Sequence, residues 1–436
     1  MLPSLPDQLL FYASYALQAL VPFRVLIAIA MGATAYWLVP VTARRYALIA
    51  ISLGIVLFGY QRPPLLPIID GLVCALVYVA VCRGVSNRVI IPGLVLLYGL
   101  AHLAFGLITF TSVLSFTGLT TDYVLPTLGL TAAFTLLRLV HFAVDFGGRS
   151  SPVHREKSGA GPGATRPHPI TFAAWCLFFP TFVHLPLIRY QAWAQQFEGL
   201  SASIHGLPLV GTGLPKRPTL SMLGKGVLRI GQGIVKGVLL GIVYVTLNFN
   251  AVLLSPAGHT LLELLGATLV SAITYYIGFS AYMDIGIGAA SLFGITLPEN
   301  FAPMLKMLRI SRMRDFWRNW NITTTQWLND YVYKPLGGWR KHPIRNTLLT
   351  MTACGLWHSV SLFGAAWGMG LGLLLIVEHG YNKLRIKRDW PDVPPLVRAS
   401  LVLGGVALVN LALTPYGYTA QTARLLYPLY WLHVAT

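Results

Sequence analysis

The chain has 436 residues, 55% of them hydrophobic and only 11% charged, with a mean hydropathy of +0.64. Soluble domains carry roughly a quarter charged residues, so composition excludes a soluble globular protein; apolar runs of about 20 residues, in place of alternating segments of about ten, exclude a β-barrel. The net charge of +18 sits mostly in short segments between apolar runs, which marks contact with anionic lipid headgroups and leaves no basic soluble domain to bind nucleic acid.

No Lys or Arg precedes Arg24, so a cleavable signal is not expected and the first span stays in the mature protein. Apolar spans are predicted at 19–40, 46–60, 64–82, 89–110, 124–146, 170–188, 230–253, 260–294, 346–378 and 396–414. The two longest contain several glycines (Gly286, Gly288 and Gly294; Gly364, Gly368, Gly370 and Gly372) that permit breaks or close packing. The working count is about ten to twelve membrane segments, each needing about 20 residues.

Charge in the early connections sets an orientation. The first carries Arg44 and Arg45, the second only Arg62, the third Arg83 and Arg88, the fourth none, and the fifth Arg149, Arg155, Lys157 and Arg166. This alternation places the N-terminus outside and the odd-numbered connections in the cytoplasm. Residues 147–169, rich in Gly, Pro, Ser and charge, read as a flexible cytoplasmic loop. Residues 190–229 suit an amphipathic segment on the membrane surface. Cys74, Cys82, Cys176 and Cys354 lie in or beside apolar runs without metal-ligand spacing.

Ionisable groups within spans are functional candidates, since lipid makes them costly. His102, His141, His184, His358 and His379 qualify by position, and for His102 and His379 the plain expectation is a neutral imidazole bonded to a neighbouring helix. Arg138, His141 and Asp145 share one helix face, a polar stripe that must face the protein interior or a wet cavity. Asp284 has no partner nearby in sequence and reads as a helix anchor.

His358, in "CGLWHSVSLFG" (354–364), differs because of what precedes it. The segment from Lys306 to Arg345 holds nine Lys or Arg, with Trp317, Trp320, Trp327 and Trp339 and the amides Asn319, Asn321, Gln326 and Asn329. The segment is too polar for a lipid-facing span and too aromatic for an ordinary loop. It reads as short helices at cavity depth or at the interface, where Trp and Arg each have a place. A wet, cationic, aromatic-walled vestibule suits an anionic thioester such as coenzyme A or a phosphopantetheine arm. A histidine leading into an apolar cavity is a competent general base, its ordinary pKa of about 6.5 lying near working pH. No second His or carboxylate stands at ligand spacing, so no metal is expected, and no Gly-x-Ser-x-Gly element supplies a serine nucleophile.

Three runs, "FSAYMDIGIGAASLFGITLPENF" (279–301), "MRDFWRNWNITTTQWLNDYVYKPLGG" (313–338) and "NTLLTMTACGLWHSVSLFGAAWGMGLGLLL" (346–375), resemble the core of the membrane-bound O-acyltransferase family. The likeness is to the bacterial branch acting on cell-surface polymers, with alginate O-acetylation and teichoic-acid D-alanylation proteins as its examples. More loosely, "FFPTFVHLPLIRY" (178–190) resembles the family's Phe-Pro element, with Leu185 where glycine is usual.

The resemblance implies an all-α polytopic fold around a central tunnel, a single membrane domain over 1–436 whose motif-bearing core is 279–375. It makes His358 the catalytic base and Asn321 its polar partner. Asn321 stands where the polymer-acylating branch has His; unable to act as a base, it can hydrogen-bond the acyl carbonyl. Trp317, Arg318, Trp320, Tyr333 and Trp357 are expected to line the substrate passage. The expected co-substrate is an acyl-CoA or acyl-carrier thioester reaching a bacterial inner-membrane enzyme from the cytoplasm, with no permanently bound cofactor. The expected acceptor is a hydroxyl of an extracytoplasmic glycan or glycolipid, and a periplasmic protein or acyl carrier protein is a further expected partner. Alternatives are acylation of a lipid or protein, D-alanyl transfer from a carrier, a lipid-linked glycan transporter, and an inactive scaffold.

Overall fold

The computed structural model describes residues 23–60, 65–114, 121–146, 167–182, 186–198, 213, 215–247, 252, 259–307, 309–358, 360 and 362–413. The predicted 147–169 loop falls almost wholly outside them, as do His184 and Leu185; the His102 side chain is likewise undescribed. Among the described residues the chain is all helical, and it divides into two compact units.

One unit comprises Val21–Gly231 and Asp284–Pro298. It begins with α1 (Phe23–Leu38) and α2 (Arg44–Gly54), the latter running on as a π turn over Ile55–Gly59. Then come α3 (Leu65–Cys82), α4 (Asn87–Leu114), α5 (Thr121–Phe146), α6 (Pro169–Leu177), α7 (Phe179–Phe182) and α8 (Tyr190–Glu198). The long helices α9 (Leu220–Leu247) and α10 (Leu261–Leu292) follow, each having residues in both units.

The other unit comprises Met1–Leu20, Gln232–Met283 and Glu299–Thr436. It contains the short helices α11 (Met304–Met307), α12 (Met313–Asn319) and α13 (Ile322–Leu328), the π turn Asn329–Tyr333, the hairpin of α14 (Pro343–His358) and α15 (Leu362–Lys387), and α16 (Pro395–Leu413). The expectation of short helices between Lys306 and Arg345 is met.

By length and composition, Val41–Gly59, Leu220–Val243 and Leu261–Leu292 are able to cross a membrane, and Phe23–Leu38, Pro67–Cys82, Asn87–Ala101 and Val397–Val406 are shorter apolar helices. Two spans come out differently from the sequence reading. The 170–188 run is not one helix but the fragments α6 and α7, with Phe178 extended between them. Pro180 sits in the first turn of α7, where its missing N–H is harmless, whereas it would break a helix running through from α6. Of the segment 190–229, α8 buries Tyr190, Trp193 and Phe197, residues from Leu220 onward belong to α9, and 199–212 lie outside the described residues. The 260–294 run is a single unbroken helix, while 346–378 is broken into the hairpin α14–α15.

The buried carboxylates Asp70 and Asp284 of the first unit are each paired with an arginine, as a low dielectric demands. Arg138 on α5 does not pair along its own stripe; its guanidinium lies 3.9 Å from Asp70 on α3 and donates to the Cys176 carbonyl at 2.8 Å. Thr135 donates its hydroxyl to Asp70 as well. Asp284 finds its partner in Arg229 on α9, at 2.9 Å. Gly226 and Gly288 let these two helices approach so closely that a Cβ on Gly226 would stand 2.9 Å from the Gly288 carbonyl oxygen.

Candidate active site

All the residues singled out between 313 and 358 fall in the second unit. His358 is the last residue of α14 and is open to its surroundings. Two indoles flank its imidazole. The Trp357 ring lies 4.5 Å away and the Trp367 ring, from α15, meets it edge-on at 5.3 Å. Trp367 reaches it because α14 and α15 touch backbone to backbone: a Cβ on Gly355 would fall 2.0 Å from the Gly364 carbonyl oxygen, and one on Gly368 would fall 2.1 Å from that of Met351. Only glycine fits at such an approach.

The N-terminal end of α14 is tied down by Asn346, which is fully buried and donates to the Gly338 carbonyl at 2.9 Å. Gly337 and Gly338 adopt φ of 106° and 57°, so the Gly-Gly pair of "YKPLGG" supplies left-handed turn geometry. Tyr333 ends the π turn and packs beside Gly338, half-buried.

Asn321 lies between α12 and α13 in the left-handed region, φ 44°, a conformation that asparagine tolerates better than most residues. Its side chain is buried, and its Oδ1 accepts a hydrogen bond from Asn300 Nδ2 at 3.0 Å. Asn300 is wholly buried, and its Oδ1 accepts both the backbone N–H of Thr323 (2.9 Å) and the Thr323 hydroxyl (2.8 Å). Backbone bonds run alongside: Ile322 N–H donates to Asn300 O and Ala302 N–H to Asn319 O, each at 2.9 Å. Asn300 is the asparagine of "LPENF"; the sequence reading quoted that motif without assigning it a role.

The aromatic residues divide. Trp320 is packed into a box, stacked on Phe316 at 5.5 Å, edge-on to Phe301 at 5.2 Å and 5.5 Å from Tyr275, so its role is at least partly structural. Trp317 is half-buried on α12, and its Nε1 is buried without a hydrogen-bond partner among the described residues; Thr324 Oγ1 on α13 is in the same condition. A segment that holds unused hydrogen-bonding atoms away from water has capacity left for a ligand. Arg318 is exposed and faces Asp315 at 3.7 Å. Glu378 on α15 accepts the Met313 N–H at 3.0 Å and so fastens the start of α12. Sequence reasoning missed Asn300, Asn346 and Glu378, although all three are polar residues inside apolar or motif-bearing runs. Among the described residues no cluster of His, Cys, Asp or Glu could hold a metal ion.

Comparison with known proteins bears on this arrangement. The model of MBOAT, the membrane-bound O-acyltransferase family, matches residues 94–414. The chain is 33% identical over 214 residues to the probable alginate O-acetylase AlgI of Pseudomonas fluorescens, covering 48% of this chain and 39% of that protein. It is 39% identical over 110 residues to the peptidoglycan O-acetyltransferase of Helicobacter pylori, covering 24% and 20%. It is 25% identical over 235 residues to the teichoic acid D-alanyltransferase of Streptococcus thermophilus, covering 50% and 52%. The matched stretch therefore spans only about two fifths of the alginate relative's length.

Proposed function

The chain belongs to the membrane-bound O-acyltransferase family, and on that premise we propose that it is an O-acyltransferase of the bacterial inner membrane. It moves a small acyl group, acetyl first among them, from a cytoplasmic thioester to a hydroxyl of an extracytoplasmic glycan or glycolipid. The observation that carries this reading is the placing of His358, open at the end of α14 and walled by Trp357 and Trp367. An accessible imidazole with one apolar wall can take a proton from a bound hydroxyl. The hydroxyl oxygen then bonds to the thioester carbonyl carbon, the C–S bond breaks, and the proton passes from His358 to the departing thiolate.

Asn321 serves as the polar partner that hydrogen-bonds the acyl carbonyl. Trp317 and Arg318 suit the donor side, since an exposed guanidinium attracts phosphate and the buried Trp317 Nε1 can donate to a ligand. Acetyl is favoured over D-alanyl because the O-acetyl-transferring relatives are 33% and 39% identical against 25% for the D-alanyl one. About ten to twelve membrane segments with the N-terminus outside, a tunnel between the two faces of the membrane, and an acyl-CoA or acyl-carrier donor complete the reading.

The test is a deletion strain complemented with the wild-type gene or with His358→Ala, followed by assay of alkali-labile acetate on surface glycans. Loss of acetate at normal membrane abundance is the expected result. A His358→Ala strain with wild-type acetate would sink the base assignment.

A further inference from the structure

The role of Asn321 depends on which end of its amide faces the reacting group, and oxygen and nitrogen are interchangeable by a flip unless the surrounding bonds decide. Here they decide. The Thr323 backbone N–H can only donate, so the Asn300 atom it meets at 2.9 Å must be the oxygen. Asn300 Nδ2 then points at Asn321 across 3.0 Å, and, being a donor, it requires the oxygen of Asn321. The chain of assignment leaves Asn321 only its Nδ2 to offer elsewhere. Asn300 is fully buried, and its own carbonyl accepts the Ile322 N–H at 2.9 Å, so its backbone and its side chain both hold the turn that carries Asn321.

We propose that Asn300 is a positioning residue: it locks the Asn321 amide with Nδ2 outward, as a hydrogen-bond donor to the acyl carbonyl oxygen. This rests on the acyltransferase reading above and deepens it. As the acceptor hydroxyl adds to the carbonyl carbon, the carbonyl electron pair moves onto oxygen, and a preset donor stabilises that charge more than it stabilises the thioester. An asparagine free to flip would present its own oxygen to that charge for part of the time, and repel it.

The test uses the full-length chain in membranes, with radiolabelled acetyl-CoA as donor probe and alkali-labile glycan acetate as readout. Asn300→Asp keeps the acceptor for Thr323 and replaces the donor to Asn321 with an oxygen, so the Asn321 amide turns over. Asn321→Asp keeps the bond from Asn300 and removes the outward donor. Both variants should lower kcat by about a hundredfold at neutral pH, the size of loss that follows removal of one such donor, with KM for acetyl-CoA within about twofold of wild type. For both variants the ratio to wild type should recover as pH falls, because a protonated carboxyl at 300 again donates to Asn321 and a protonated carboxyl at 321 again offers an outward donor. Asn300→Asp with wild-type kcat at neutral pH, or with a constant ratio across pH, overturns the proposal. If Asn300→Asp does not accumulate, wild-type kcat in Asn321→Asp does the same. Equal acetate from the wild-type and deletion strains would instead overturn the acyltransferase reading, and this assignment with it.

Discussion

A Cβ placed on Gly355 would stand 2.0 Å from the carbonyl oxygen of Gly364, so α14 and α15 meet at backbone contact one turn before His358. That closeness brings Trp367 to the imidazole. Gly355→Ala must push the hairpin apart, and overpacking of this kind costs about 1–3 kcal/mol. The expected outcome is a lower thermal midpoint in detergent together with reduced transfer. An unchanged midpoint with full transfer would mean that the hairpin is not held this tightly.

Glu378 and Met313 offer a second test. The Glu378 carboxylate caps the first free N–H of α12, with both oxygens at 3.0 Å. Glu378→Ala removes the acceptor and should cost about 1 kcal/mol, whereas Glu378→Gln keeps one acceptor and most of the stability. Equal thermal midpoints for the two variants would refute the cap.

The Asp70–Arg138 pair is buried on both sides, at 6% and 2% exposure. Asp70→Leu or Arg138→Met alone should destabilise by about 3–5 kcal/mol, because each leaves an uncompensated charge in the interior. The double variant should recover most of that loss, which a double-mutant cycle in detergent measures directly.

Arg318 is two-thirds exposed and faces a half-exposed Asp315 at 3.7 Å, so its ion pair contributes little to the fold. Arg318→Ala should leave the thermal midpoint unchanged. If Arg318 meets the donor's phosphates, KM for acetyl-CoA rises several-fold with kcat preserved. An unaltered KM would remove Arg318 from the donor passage.

Much of the site was legible because its residues are chemically out of place. His358 in an apolar run, and arginines and amides among tryptophans, contradict a lipid-facing span whatever their partners are. The short helices α11–α13 could be anticipated for the same reason. The Gly-Gly of "YKPLGG" was visible as a motif, although its work as a left-handed turn before α14 needed the φ values.

Partnership was not legible. Asp284 had no neighbour of opposite charge in sequence, and its partner Arg229 comes from another helix. Arg138 passed over its own stripe for Asp70 on α3. In α8 Tyr190, Trp193 and Phe197 turn to the protein interior, and periodicity states that a face is apolar without stating what covers it.

The membrane class, the helical character, the polar run from Lys306 to Arg345 and the singularity of His358 were readable from the order of the residues. Those follow from transfer free energies of single side chains and from local periodicity, which need no neighbours. That Trp367 stands beside His358, that Glu378 caps α12, and that Asn300 bonds the oxygen end of the Asn321 amide came from the packing of the helices. Each is a short-range directional contact between residues distant in the chain, and its geometry exists only once the helices are packed.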